Sequence, residues 1–228
     1  MMSGAFVELA RRHGALRIPS LPQNLRDIRF CLGLYPEIEV FEIIDDDVMI
    51  RDYKRQSDVI WAHWTRFDEV LKDGPISSDV WAYKQMGVDF EHRWSSCPLE
   101  ARAETLPQII FPGPYYLLHE DPERGFPITY PPWHPVITTR RVGKYGRHTS
   151  LAWVDAMRRA TELHFFDSSM WHLANSVTLP AGQPRYLHRY VRQWHPVWHA
   201  VQLKQHWRFI DGTPTRLLTV ERENDSAS

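Results

Sequence analysis

Tyr115-Tyr116-Leu117-Leu118-His119-Glu120-Asp121-Pro122-Glu123-Arg124-Gly125-Phe126 runs four apolar or aromatic residues, enough for a short buried strand, straight into a polar turn. That turn carries an imidazole, three carboxylates, a guanidinium and a Pro/Gly pair. In an open α/β sheet, ligands sit in the crevice beyond the carboxyl ends of the strands, so a loop of this composition at a strand end is a candidate site. Glu162-Leu163-His164-Phe165-Phe166-Asp167-Ser168-Ser169-Met170-Trp171-His172-Leu173 repeats the arrangement: an apolar strand, then a polar turn. The rest of the chain reads as scaffold for these two turns.

Outward from them the sequence alternates strand and helix. Toward the C-terminus, Val136 to Val142 carries β-branched residues and predicts a strand, Gly143 to Arg147 a basic turn, and Ser150 to Ala160 a helix with Leu151, Val154 and Met157 on one face. Leu163 to Phe166 predicts the next strand, and Ser168-Ser169 cap a helix to about Asn175. Arg185 to Arg192 sets Tyr186, His188 and Tyr190 against Leu187, Arg189 and Val191, the pattern of a strand. Ala200 to Leu203 and Trp207 to Ile210 are expected to complete the sheet, with a frayed polar tail from Arg222.

Toward the N-terminus, Ser3 to His13 predicts a helix that Ser3 can cap, with Phe6, Val7, Leu9 and Ala10 as its stripe and Gly14 as its stop. Ala15 to Ile18 predicts a strand, Asn24 to Leu32 a helix capped by Asn24 and ended by Gly33, and Ile38 to Ile44 a strand. Asp45-Asp46-Asp47 follows; three carboxylates after a strand suit a solvated turn and helix cap better than a cation site. Helix Val48 to Gln56 and strand Asp58 to Ala62 continue the alternation. From His63 to Asp79 the signal weakens; helices are then expected over Val80 to Met86, stopped by Gly87, and over Glu100 to Gln108. Pro107, Pro112 and Pro114 mark a boundary. The expected fold class is therefore α/β, with two Rossmann-like halves facing a cleft: residues 1–108 and residues 109–228.

The bulk composition excludes little. Hydrophobic residues make up 43% and charged residues 24%, the balance of an ordinary globular chain, and a net charge of -1 offers no general attraction to nucleic acid. Cys31 and Cys97 lie far apart in sequence and read as reduced, half-buried thiols. No apolar run approaches the roughly 18 residues of a membrane span, and no signal-peptide pattern precedes the first helix. A soluble, cytoplasmic protein is expected. Ten tryptophans and seventeen prolines, concentrated after Phe111, predict fixed turns and aromatic packing in the C-terminal half.

Arg124 offers a planar fork of donors that suits a diphosphate, and Asp121-Pro122 equally builds a turn in which Arg124 pairs with Glu120 or Glu123; both readings stay open. Asp167, Ser168 and Ser169 precede a helix whose start is a natural phosphate cradle, and serine is also a common helix cap. No Gly-x-Ser-x-Gly elbow surrounds Ser168, which weakens it as a hydrolytic nucleophile. His195 and His199 have a metal-type spacing, but Pro196 interrupts them and no third ligand is evident. Arg140, Arg141, Lys144 and Arg147 form a basic cluster that suits a solvated face, a nucleotide or an acidic acceptor.

The stretch from Tyr115 to Phe126, together with Ala160-Thr161-Glu162-Leu163-His164-Phe165-Phe166-Asp167-Ser168-Ser169, resembles the C-terminal half of glycosyltransferases of the GT-B class. It is more distantly similar to the alpha-1,6-fucosyltransferase group, and Gly87-Val88-Asp89-Phe90-Glu91-His92-Arg93-Trp94 resembles a third stretch of those enzymes. The resemblance implies a nucleotide-sugar donor bound mainly by the second half, a glycan or other hydroxyl acceptor, and neither a metal nor a cofactor beyond that donor. Carried over, Arg124 stabilises the donor diphosphate, His119 lines its pocket, and Asp167, Ser168 and Ser169 belong to the donor site. Asp121 is the expected base, with Asp89 as the other candidate; Glu162 and His164 are expected as structural or rim residues. Family members begin with a strand and a glycine-containing turn, whereas this chain enters its first helix at Met2-Ser3-Gly4-Ala5. The N-terminal half is accordingly expected to be shortened. The rival expectation is a nucleotide- or glycan-binding protein without transfer.

Overall fold

Small and apolar residues spaced three and four apart make the first helix, α1 (Ser3–His13), whose buried face holds Gly4, Ala5, Glu8, Leu9 and Ala10. Gly14, at φ +77, ends it by donating its N–H to Ala10 O at 2.8 Å. The computed structural model describes residues 3–45, 51–52, 58–60, 78–122, 125–128, 135–139, 150–192 and 203–211. It is a mixed α/β protein that divides into two compact units, Met1–Leu106 with Pro196–Lys204, and Pro107–His195 with Gln205–Ser228. No helix among the described residues is long and apolar enough to cross a membrane.

In the first unit, β1 (Leu16–Ser20), α2 (Pro22–Leu32) and β2 (Ile38–Glu42) form a strand-helix-strand segment with the two strands parallel. Ile18, Leu25, Leu32, Ile38 and Val40 close around Ala10 of α1. The other side of α1 packs on α3 (Ser78–Gln85) through Ala5, Leu9, Ala82, Tyr83, Met86 and Val88. Tyr83 OH accepts from Ala5 N–H at 3.1 Å, satisfying a donor that the first turn of a helix leaves open. The short helices α4 (His92–Ser95) and α5 (Leu99–Glu104) complete the unit. Cys31 and Cys97 are free and half-buried, and burial pushes the Cys31 thiol up to about 11.

In the second unit, β3 (Tyr116–His119), β4 (Val136–Thr138), β5 (Glu162–Phe165), β6 (Arg185–His188) and β7 (Arg208–Ile210) form a wholly parallel sheet in the order β4-β3-β5-β6-β7. Register places Leu117, Leu163, Phe165 and Leu187 on one face, all almost fully buried. This face meets α6 (Val154–Arg159), where Tyr115 OH donates to Ala156 O at 2.7 Å. It also meets α7 (Ser169–Ser176), where Trp207 lies between Phe165 and Trp171. Tyr116 and Leu118 point the other way and pack with Ile128, Val136 and Val191. A parallel sheet with helices on it is compatible with a Rossmann-like fold.

Several boundaries differ from the sequence expectations. Ser3 is already helical, and its hydroxyl lies 3.7 Å from Cys97 Sγ. Asn24 is not the cap of α2: the helix starts at Pro22, whose fixed φ is pre-set for a first helical position, and Asn24 N–H donates to Leu21 O at 3.0 Å. Of the expected strand Asp58 to Ala62, residues 58–60 form no strand, with Ile60 exposed, and Trp61 and Ala62 lie outside the described residues. The expected helix over Glu100 to Gln108 stops at Glu104. The expected strand Arg185 to Arg192 ends at His188, where its ladder partners Phe165 and Ile210 also end; Arg189–Arg192 then curls into a 3-10 turn. Leu203 is not in a strand. Asp46, Asp47, the basic cluster from Arg140 to Arg147, His195 and His199 lie outside the described residues.

Candidate functional site

β3 comes first in the second unit's sheet, and its neighbours are β4 on one side and β5 on the other. The chain therefore reverses its direction of travel across the sheet between β3 and β5. In doubly wound sheets that reversal opens a crevice at the carboxyl ends of the two strands, where ligands bind. Here the two carboxyl ends are His119 and Phe165, paired in register, so the two turns singled out in the sequence face each other at the switch point.

His119 is fixed from three strand ends. Its ring stacks on Phe166 at 5.0 Å between centroids and 10° between planes, and its Nδ1 lies 2.6 Å from Thr139 Oγ1, just past β4. Phe126 stacks on Phe166 at 5.6 Å, so the loop after β3 and the residue after β5 share one aromatic contact. The loop is closed by two backbone bonds, Asp121 N–H to Phe126 O and Phe126 N–H to Asp121 O, both 2.8 Å. Gly125 takes the left-handed conformation (φ +80) that lets the chain turn back within so few residues. Glu120 Oε2 accepts from Ile128 N–H at 3.0 Å and anchors the loop's exit. Asp121 is half-buried in this loop; Glu123 and Arg124 lie outside the described residues.

Across the switch point, Asp167, Ser168 and Ser169 start α7. Ser168 is the N-cap: its backbone is extended and its Oγ accepts from Trp171 N–H at 3.3 Å. Cap geometry brings the residue before the cap onto the fourth helical residue, and here those are Asp167 and His172, with Oδ1 3.4 Å from Nε2. Asp167 is only 7% exposed, and its Oδ2 is buried with no hydrogen-bond partner among the described residues. A buried, unpartnered carboxylate oxygen is an unusual feature and accepts an O–H or N–H readily. Ser169 is exposed in the first turn.

The structure thus brings together His119, the Asp121 loop, Asp167, Ser168 and Ser169. It adds three residues that the sequence reading did not select: Thr139, Phe166 and His172. Only His172 had a local signal, its position five residues after Asp167 across a serine cap; the contacts of Thr139 and Phe166 depend on strand order. The third family-like stretch belongs to the first unit, where Arg93 is buried in an ion pair with Asp79 and lies over the Trp94 ring at 4.6 Å. Asp89, the other candidate base, accepts from Glu91 N–H at 3.0 Å in a local turn.

Compared with known proteins, the chain matches no family model, no curated protein and no solved structure.

Proposed function

We propose that this protein is a glycosyltransferase whose second unit binds a nucleotide-sugar donor at the carboxyl edge of its parallel sheet. The observation that supports this reading is the meeting of the His119 loop and the Asp167–Ser169 helix start at the β3/β5 switch point. The parts suit different pieces of such a ligand. The positive end of α7 favours phosphate, the half-buried rings of His119 and Phe126 suit a base or sugar face, and the open oxygen of Asp167 suits a sugar or ribose hydroxyl. A carboxylate repels phosphate, so Asp167 belongs on the hydroxyl side of the ligand.

On this reading the second unit is the donor-binding half of a two-half, GT-B-like enzyme and the first is its acceptor-side half. The acceptor hydroxyl attacks the anomeric carbon as the bond to the diphosphate breaks. Asp121 takes the hydroxyl proton, and Arg124 supplies counter-charge to the departing diphosphate.

The test pairs binding with turnover. Thermal unfolding is followed with GDP, UDP, ADP, CMP and their sugar conjugates, on the native chain and on Asp167→Asn and Arg124→Ala. A ligand at a hundred times its Kd stabilises by about 2.7 kcal/mol, a readable shift. One nucleotide is expected to shift the native chain and not the variants, and its sugar conjugate to be consumed only when a hydroxyl acceptor is present. Binding without consumption makes the protein a nucleotide-binding module; no shift with any of them removes the donor site.

A further inference from the structure

The sheet face opposite α6 and α7 carries a line of polar side chains that the proposed donor site does not use. Glu162 stands at the start of β5, His164 in its middle and His188 at the end of the neighbouring β6. His164 Nε2 lies 3.2 Å from Glu162 Oε2, and His164 Nδ1 lies 3.0 Å from His188 Nε2. We propose that Glu162, His164 and His188 form a proton-transfer chain that holds His188 Nδ1 as a bare acceptor nitrogen at the carboxyl edge of the sheet.

Hydrogen-bond chemistry sets the direction of the chain. A carboxylate only accepts, so the proton of His164 resides on Nε2 and points at Glu162. Nδ1 of a neutral His164 is then an acceptor, and His188 must donate to it from Nε2–H. The proton of His188 is thereby committed, and its Nδ1 keeps a free lone pair. That atom is buried, in a residue only 2% exposed, and has no hydrogen-bond partner among the described residues. An imidazole nitrogen left this way serves no structural bond among the described residues.

The surroundings keep both rings neutral. Tyr186 lies flat on His164 at 4.6 Å, Tyr116 meets its edge at 6.1 Å, and Tyr190 meets His188 at 5.5 Å. Arg208, from β7, reaches the Tyr186 hydroxyl at 3.4 Å. Burial, with the neighbouring imidazole, holds His188 down to about 3; burial also lowers His164 against the pull of Glu162.

The chain can carry a proton without net chemistry. A ligand O–H or N–H gives its proton to His188 Nδ1, His188 passes its Nε2 proton to His164 Nδ1, and His164 passes its own Nε2 proton to the Glu162 carboxylate. Glu162 is half-buried at the amino end of the sheet and exchanges that proton with water; run in reverse, the same steps take a proton from water through Glu162 back to the ligand and restore the starting tautomers. Glu162 and His164 are positioning residues here. The chain stands independently of which ligand occupies the donor site.

Nitrogen-15 NMR of the imidazoles in the full chain at neutral pH reads the tautomers directly. The native protein is expected to show His188 as one tautomer, protonated on Nε2 and bare on Nδ1. Glu162→Ala, with its fold checked by circular dichroism, is expected to divide the proton between the two nitrogens of both rings. His164→Phe, which keeps an aromatic ring against Tyr186, is expected to do the same at His188. A native His188 that carries its proton on Nδ1, or a single unchanged tautomer in either folded variant, overturns the proposal.

Discussion

At Gly4 a methyl group added to the backbone would sit 1.9 Å from the carbonyl oxygen of His92, which is backbone and cannot swing aside. Alanine is the better helix former by about 1 kcal/mol, yet overpacking of this kind costs about 1–3 kcal/mol, so the clash wins. Gly4→Ala is expected to lower the urea midpoint; an equal or higher midpoint contradicts the close approach of α1 and α4. Titration provides a second prediction at this scale. The folded His188 binds its proton far less readily than an unfolded histidine at 6.5, so the unfolded state gains protons first on acidification. Stability is full above about 6.5 and falls as pH drops toward about 3, with a limiting slope of about 1.4 kcal/mol per pH unit for one imidazole. His164 acts in the same direction. Glu8, held down to about 2 by Arg11 and Arg12, contributes stability that is lost only as pH falls from 4.5 through that value. Denaturation between pH 6.5 and 5 therefore isolates the histidines, and a flat midpoint across that window contradicts their burial as neutral rings.

Helix α7 separates two roles that serine can play. Ser168 as cap predicts that Ser168→Ala lowers stability by about 1 kcal/mol while Ser168→Asp, which also caps and suits the positive helix end, largely restores it. Thermal unfolding of the two variants checks this; no loss in Ser168→Ala removes the cap. Elements of this kind were legible because their signals are local. Ser3 to His13 is helical over its whole predicted length, since the stripe lies within it and the stop, Gly14, follows at once, and the Ser168 cap follows from a serine placed between a strand and an apolar run. Asn24 misled because Pro22 competes for the same helix start and carries the stronger constraint. Arg185 to Arg192 misled because alternation predicts a strand only as far as partners exist, and β5 and β7 stop at Phe165 and Ile210. The candidate site divides the same way. His119 and Asp167 were visible as polar residues at strand ends, whereas the stack on Phe166, the bond to Thr139 and the His164–His188 contact join residues on different strands and follow from strand order alone.

For the molecule as a whole, the parallel order β4-β3-β5-β6-β7 turns two separated stretches of sequence into one site. A ligand there should order the His119 loop and the α7 start together and leave the β1-β2 segment of the first unit unaffected. Hydrogen–deuterium exchange with and without the nucleotide or nucleotide sugar selected by thermal shift measures this peptide by peptide. Added protection is expected in the peptides covering His119 to Phe126 and Asp167 to Trp171, and its loss in Asp167→Asn. Protection elsewhere with neither of these peptides changed would contradict a binding site at the carboxyl edge of the sheet.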